Sequence, residues 1–383
     1  MHIAWIGKKT PFCGNVTYSR EITNALLDRG HEVSFLHFAQ EEKHPDNSPN
    51  CHEVPLPFIY KSQVYTIPTF KATKVLTKEL RRIKPDIVHA SLTLSPLDFV
   101  LPEICEELNL PLVATFHPAF DAKKDAKLNP GTQSLAYQLY APFLGNYDCT
   151  IIFSQIQREV LVKLGVPSEN ITIIPNGVDP IKYSPGASQI KAEFKAERLF
   201  VYQGRIAPEK NVESLLRAWK QAPIEPGSKL LIVGDGPLKY SLEPFYGPEY
   251  NIYWLGFVAD EERRIEVLRG ADAYILPSLV EGLSLSLLEA MSCGVACMAT
   301  DVGADGEVLE KGAGVVLSTR NVRSQLRTLL PLFQDHPELT TLLGQKARQR
   351  VLERYTLDKN ISKLEELYVE ILQKPRMQFI RRA

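Results

Sequence analysis

The chain has almost no net charge, few sulfur-bearing side chains and no long apolar run, and each scarcity closes a class of function. Its 44 basic and 45 acidic residues leave a formal charge of -1, so no overall basic field points to nucleic acid. The six cysteines, Cys13, Cys51, Cys105, Cys149, Cys293 and Cys297, contain no CxxC pair. Cys293 and Cys297 read as buried thiols rather than a zinc pair, and the chain reads as cytosolic. His2, His31, His37 and His89 lie in or beside strands, and no H-E-x-x-H or comparable metal spacing occurs. No segment approaches the apolar length that spans a bilayer, and Met1 to Gly7 reads as a strand entering a glycine turn rather than a leader.

What remains is a chain of 383 residues, 44% apolar, which is long enough for two cores. Its first half alternates periods of two and of 3.6, the pattern of a parallel sheet with crossover helices. Strands are expected over 2–6, 33–37, 86–90, 112–116, 149–153 and 171–174, and helices over 15–29, 70–83, 97–108, 132–144 and 155–164. Asn176-Gly177-Val178-Asp179-Pro180 is a turn, and the polar run to Lys195 looks like an interdomain linker. The alternation then restarts. Strands over 199–203, 229–233, 251–254, 272–276, 295–299 and 314–317 intersperse with helices near 209–220, 260–268, 285–291 and 320–333. Helices over 337–355 and 357–373 follow, the second free to pack back on the first domain. The tail mixes Lys374, Arg376, Arg381 and Arg382 with Met377, Phe379 and Ile380 and contains no acid, a composition suited to weak attraction to anionic lipid.

The stretch from Pro277 to Met291 carries the sharpest chemistry. Glu281 follows a strand's carboxyl end, Glu289 lies inside the next helix, and ligands of doubly wound sheets sit at that edge. Open amides of Gly282 and Leu283 at the helix start, beside the positive end of its dipole, suit a phosphate. The carboxylates suit hydroxyls, which sugars and ribose offer. A phosphate between two hydroxyl-rich groups is a nucleotide sugar. On the same edge, Gly204-Arg205-Ile206-Ala207-Pro208-Glu209-Lys210 runs from a strand into a helix, and Arg205 and Lys210 can reach a diphosphate. Gly234-Asp235-Gly236-Pro237 lets backbone approach a nucleotide, and the segment from Trp254 to Val258 offers main-chain contacts to a base. In the first half, Pro11-Phe12-Cys13-Gly14-Asn15-Val16 has too few glycines for a dinucleotide fingerprint, which counts against a dehydrogenase. Gly14 and Asn15 still line the edge, and His117 directly follows a strand, where it can donate a hydrogen bond or place its carbonyl beside a reacting carbon.

These residues resemble the retaining glycosyltransferases of family 4, the glycogen synthase-like and mannosyltransferase-like group of GT-B fold. The most specific likeness is the E-x7-E spacing of Glu281 and Glu289; Gly204-Arg205, Lys210, Gly234-Asp235-Gly236-Pro237 and Asn176-Gly177-Val178-Asp179 also match. The chain departs from the family at Asn15, Pro118, Ala296 and Ala304, none of which removes a charge that the donor needs. The resemblance implies an α/β, GT-B architecture of two Rossmann-like doubly wound domains facing across a cleft. It implies an acceptor-binding domain over 1–180, a nucleotide-sugar-binding domain over 181–356, and a helix with basic tail over 357–383 returning to the first. It further implies transfer of a hexosyl unit from a nucleotide diphospho-sugar to a saccharide or lipid-linked hydroxyl with retention. Glu281 would hold donor hydroxyls and Glu289 the ribose, while Arg205, Lys210 and the Gly282 and Leu283 amides meet the diphosphate. Gly14, Gly234 and Val258 would line the donor, and His117 would stabilise the reaction centre. Neither a metal nor a cofactor is expected, because two fixed cations can take the metal's place.

A sugar-nucleotide epimerase, a phosphorylase-like enzyme and a non-catalytic nucleotide-sugar-binding protein are the competing readings. The loop with Asp121, Lys123, Lys124, Asp125 and Lys127 and the apolar stretch Leu56-Pro57-Phe58-Ile59-Tyr60 could face a saccharide or the glycerol backbone of a lipid, and together with the basic-apolar tail they suggest a cytoplasmic enzyme peripheral to an anionic membrane surface.

Overall fold

The structure, a computed structural model, describes residues 1–10, 13–38, 51–62, 65–118 and 132–374. The loop that carries Asp121, Lys123, Lys124, Asp125 and Lys127, and the tail beyond Lys374, lie outside the described residues. Two compact units emerge, the first from Met1–Pro118, Pro130–Ile174 and the chain from Asp358 onward, the second centred on Pro175–Leu357.

The first unit contains β1 (His2–Gly7), β2 (Glu32–His37), β3 (Cys51–Pro55), β4 (Phe58–Lys61), β5 (Thr66–Pro68), β6 (Ile87–Ser91), β7 (Leu112–Thr115), β8 (Cys149–Ile152) and β9 (Ile171–Ile173). Seven of these form a parallel sheet in the order β3-β2-β1-β6-β7-β8-β9, while β4 and β5 pair antiparallel as a separate hairpin. β6, β7 and β8 are buried along their whole length, which is why they read as continuous apolar runs. Helix starts follow local chemistry. Ser95 and Asp98 form a reciprocal box at the start of Pro96–Glu107, and Ser154 caps Gln155–Lys163.

The helix Leu357–Gln373 packs on this first unit. Arg29 holds Asp358 and Glu365, His31 Nε2 meets Glu365 at 2.8 Å, and the Tyr368 hydroxyl lies 2.5 Å from His89 Nδ1. His89 is wholly buried, stacked on Trp5 at 4.1 Å and bonded through Nε2 to the Thr115 hydroxyl at 2.7 Å. Burial lowers its pKa to about 3, so this histidine is a neutral clasp.

The second unit contains β10 (Arg198–Gln203), β11 (Ser228–Val233), β12 (Ile252–Gly256), β13 (Ala273–Leu276), β14 (Ala296–Thr300) and β15 (Val315–Leu317), all parallel, in the order β12-β11-β10-β13-β14-β15. Order reversal between β10 and β13 creates the switch point at which doubly wound sheets take ligands. The polar run expected as a linker is instead anchored to this unit: Ile190 is wholly buried in a short helix, Ile190–Glu193, and the Ser188 hydroxyl donates to the Glu266 carbonyl at 2.8 Å. The helix expected from residue 209 begins at Val212, because Asn211 takes a left-handed backbone (φ 52°) after a single 3-10 turn at Pro208–Lys210. No described helix is long and apolar enough to cross a membrane.

Candidate functional site

Most of the residues singled out by sequence gather at the carboxyl edge of the second sheet. The loop after β10 brings Lys210 to the loop after β13, where its ammonium lies 2.5 Å from Glu281 Oε1. The Ser278 hydroxyl donates to the same oxygen at 2.7 Å, and Glu281 is buried. Backbone fastens the two loops together: the Leu279 amide donates to the Glu209 carbonyl at 2.8 Å and the Asn211 side chain to the Pro277 carbonyl at 3.1 Å. Arg205 is bonded to Glu209, so each cation of this edge is held by a carboxylate.

The helix that carries Glu289 spans Leu285–Ser292 and is capped by Ser284. Gly282 and Leu283 therefore lie just before the cap, at the start of this helix. Their carbonyls are bound, Gly282 by the Ala304 amide at 2.7 Å and Leu283 by the Asn176 side chain at 2.8 Å. Among the described residues, their amides meet no acceptor. Glu289 receives the Gln203 side chain at 3.1 Å, which aims its carboxylate along the same edge.

Asp305 joins this cluster without having been foreseen. It is 0% exposed, accepts the Ser284 amide through Oδ1 at 2.9 Å and has no partner on Oδ2 among the described residues. Burial first, and the Glu281 charge second, push its carboxyl well above the usual carboxylate range. Its signal was positional: it follows Gly303 at the carboxyl end of β14, the strand beside β13. Gly303 (φ 55°) permits the approach, because an added Cβ would stand 2.3 Å from the Gly282 carbonyl oxygen.

Gly234 and Val258 follow β11 and β12 at the same carboxyl edge. A Cβ on Gly234 (φ 138°) would stand 1.9 Å from the Gly204 carbonyl oxygen, so this glycine is required by the packing of neighbouring loops. The Val258 carbonyl is occupied by Arg264 at 2.9 Å, which leaves its amide for any other contact. A cavity of about 480 Å³ lies at the opposite, amino-terminal edge, lined by Asp272, Gly294, Gln345 and Arg348 among others. Its arginine donates to the carbonyls of Tyr183, Ser292 and Pro180, so it ties the end of the helix Leu285–Ser292 to the loop at 180–183.

Within the first unit, His117 and Asn15 meet at the Ser91 hydroxyl. Ser91 donates to Asn15 Oδ1 at 2.9 Å and lies 2.9 Å from His117 Nε2. A hydroxyl has one hydrogen, so with it directed to Asn15 the imidazole carries its proton on Nε2 and presents Nδ1 as an acceptor. Tyr18 and Phe153 flank the ring at 4.8 and 5.2 Å. Burial, and then the Lys8 charge, lower its pKa to about 3, so it is neutral. Gly14 opens the helix Gly14–Asp28 in an exposed position, and a Cβ there would meet nothing within 4 Å. No group of three or more metal-binding side chains occurs among the described residues.

Comparison with known proteins places both units. The family of Glycosyl transferases group 1 matches residues 186–350, and Glycosyltransferase Family 4 matches residues 13–182. The UDP-Gal:alpha-D-GlcNAc-diphosphoundecaprenol alpha-1,3-galactosyltransferase of Escherichia coli is 28% identical over 80% of this chain and 81% of its own length. The N-acetyl-alpha-D-glucosaminyl L-malate synthase of Bacillus anthracis is 25% identical over 94% of both. The solved structure of Anabaena HepE in complex with UDP-glucose superposes with a TM-score of 0.75 at 19% identity, covering 97% of this chain and 100% of that one, which shows the GT-B fold.

Proposed function

Because the chain belongs to the glycosyltransferases, its first half to family 4 and its second to group 1, we propose that it moves a hexosyl unit from a nucleotide diphospho-sugar to a hydroxyl with retention. The acceptor is a saccharide or a lipid-linked one on the cytoplasmic face of a membrane. The name of one relative specifies a diphosphoundecaprenol-linked acceptor, and HepE holds UDP-glucose. The observation that carries this reading is the Lys210–Glu281 contact beside the Gly282 and Leu283 amides, which meet no acceptor among the described residues. One loop pair thus offers positive charge, main-chain donors and a hydroxyl acceptor together.

In the proposed reaction the bond from the anomeric carbon to the diphosphate oxygen breaks as a bond to the acceptor oxygen forms on the same face. The acceptor proton passes to the departing phosphate oxygen. Negative charge collects on that diphosphate, so Arg205, Lys210 and the Gly282 and Leu283 amides bind the transition state more strongly than the donor. Glu281 takes donor hydroxyls and Glu289 the ribose. His117, neutral and with Nδ1 as acceptor, orients a hydroxyl at the reaction centre rather than adding charge there. Gly14, Gly234 and Val258 contribute backbone near the donor. No metal or cofactor enters, since lysine and arginine supply the charge.

The test is release of nucleoside diphosphate across a panel of nucleotide sugars. One donor class should be turned over, and Arg205→Ala or Glu281→Ala should lower kcat by about 10²–10³. Turnover that is unchanged in both variants overturns the proposal.

A further inference from the structure

Apolar side chains normally scattered on a surface are concentrated on one layer of the first unit. The β4–β5 hairpin, which stands apart from the main sheet, exposes Ile59 (66%), Tyr60, Tyr65 and Ile67, and Phe70 just beyond it is 99% exposed. The chain then enters the helix Ala72–Ile83, which buries Ala72, Leu76 and Leu80. Its opposite face carries a stripe of exposed cations, Lys71, Lys74, Lys78 and Arg81, at spacings of three and four. None of the four has an ion-pair partner among the described residues. From Val54 to Pro85 the chain has seven cations, Lys61, Lys71, Lys74, Lys78, Arg81, Arg82 and Lys84, against the single acid Glu79.

The layer continues sideways. β5 packs on the helix Pro96–Glu107, and so does the helix Ala72–Ile83. On the far side of that helix, Phe99 meets Phe143 at 4.7 Å. Phe143 belongs to the helix Thr132–Leu144, which has no charged residue and exposes Leu135 (61%), Leu139 and Phe143 at intervals of four. Two exposed apolar strips thus flank one helix, with a row of unpaired cations along one of them.

We propose that this layer of the first unit is a docking surface for an anionic lipid bilayer. The chemistry favours lipid over a protein partner. Interfaces between proteins are depleted of lysine at their centres, whereas three lysines here stand unpaired beside the apolar tips. Apolar tips enter the acyl boundary, tyrosines lie at the headgroup level, and lysines meet anionic headgroups. The proposal deepens the membrane-side acceptor reading and rests on it for its purpose. Peripheral binding of this kind would hold the first unit against the leaflet that carries a lipid-linked acceptor.

The experiment is sedimentation of the full chain with vesicles of phosphatidylcholine alone or mixed with phosphatidylglycerol, beside donor hydrolysis measured without vesicles. The chain should bind only the mixed vesicles, and less as salt rises. Each lysine contributes about fivefold, so the Lys74→Gln/Lys78→Gln variant should bind about thirtyfold more weakly. Ile59→Ser/Phe70→Ser should lose about tenfold or more per residue. Both variants should keep wild-type donor hydrolysis, which shows that they fold. The proposal is overturned if mixed vesicles are not bound, if the variants bind like the wild type, or if light scattering finds a wild-type dimer that Ile59→Ser/Phe70→Ser dissociates. Loss of donor hydrolysis in the wild type with vesicle binding intact would instead defeat the transferase reading and leave the surface standing.

Discussion

The two sheets differ in the groups that surround their candidate site residues. At the second, cation and carboxylate lie in contact, Lys210 with Glu281 and Arg205 with Glu209, on loops held by glycines that tolerate no side chain. At the first, the corresponding groups are an uncharged imidazole and an amide joined through the Ser91 hydroxyl, beside a glycine with open space around it. The difference teaches a division of labour. In the proposed reaction negative charge grows on the departing diphosphate, which calls for fixed cations, and fixing them requires loops packed backbone to backbone. In the same proposed reaction a hydroxyl at the reacting carbon needs orientation without added charge, and a neutral, half-buried histidine would supply it. Each edge carries the electrostatics of its proposed partner.

The sharpest way to break that comparison is to add the same methyl group at both edges. Gly303→Ala would force a left-handed alanine against the Glu281 and Gly282 carbonyls, with an expected loss of about 2–4 kcal/mol and of donor turnover. Gly14→Ala lies at a helix start with nothing within 4 Å and should leave stability unchanged or raise it by about 0.5–1 kcal/mol. Thermal melts of the two variants decide the matter. Equal stability of both would show that the second edge is no tighter than the first.

A smaller effect separates the units by pH. In the first, burial lowers His89 and His117 to about 3 and His37 to about 4. A histidine with a depressed folded pKa stabilises fully above its unfolded value of about 6.5, and that stability is lost as pH falls through the window toward 3–4. The slope is at most about 1.4 kcal/mol per pH unit for each group. Asp98 opposes it, since burial raises its carboxyl to about 6 and the folded state then gains stability as pH falls toward 4. Three groups outweigh one. In the second unit the raised Asp305 also favours the acidic side. Hydrogen exchange followed from pH 7 to pH 5 should therefore show the first unit loosening before the second, and His89→Gln should flatten that trend. Loss of protection in both units together would remove the contrast.

How far these edges were legible in the sequence follows from the same physics. Strands buried on both faces, such as β10 and β13, announce themselves as apolar runs, and the helix Leu357–Gln373 was readable to its ends from its periodicity. The edge strand β3 and the β4–β5 hairpin were not, because Pro55, Pro57 and Pro68 interrupt them and their side chains are largely exposed. At the site, Glu281, Glu289, Arg205 and Lys210 stood out through spacing and charge. Asp305 and Ser91 did not. Each acts through a contact with a residue distant in sequence, Ser284 for one and His117 for the other, and neither carries a local pattern. The loop whose polar composition suggests a linker is anchored by Ile190 and Ser188, a contact that only the fold reveals.

Ser91 supports the smallest prediction, and it bears directly on the neutral edge. Its hydroxyl keeps the His117 proton on Nε2 and so leaves Nδ1 open to the hydroxyl of the proposed reaction, which makes Ser91 a positioning group in that proposal. Ser91→Ala removes the acceptor that stabilises that tautomer without adding charge or bulk. One net hydrogen bond amounts to about 1 kcal/mol, so kcat should fall by roughly fivefold to tenfold with donor KM nearly unchanged. Ser91→Thr, which restores the hydroxyl, should recover most of the loss. The ¹⁵N resonances of the His117 ring give a readout that a merely structural role would not move, since the wild type should show a protonated Nε2 and a bare Nδ1, and the alanine variant a mixture. If the ring nitrogens and kcat are both indifferent to the substitution, His117 is not oriented through Ser91, and the contrast between a charged edge and a hydrogen-bonded one loses its first-unit half.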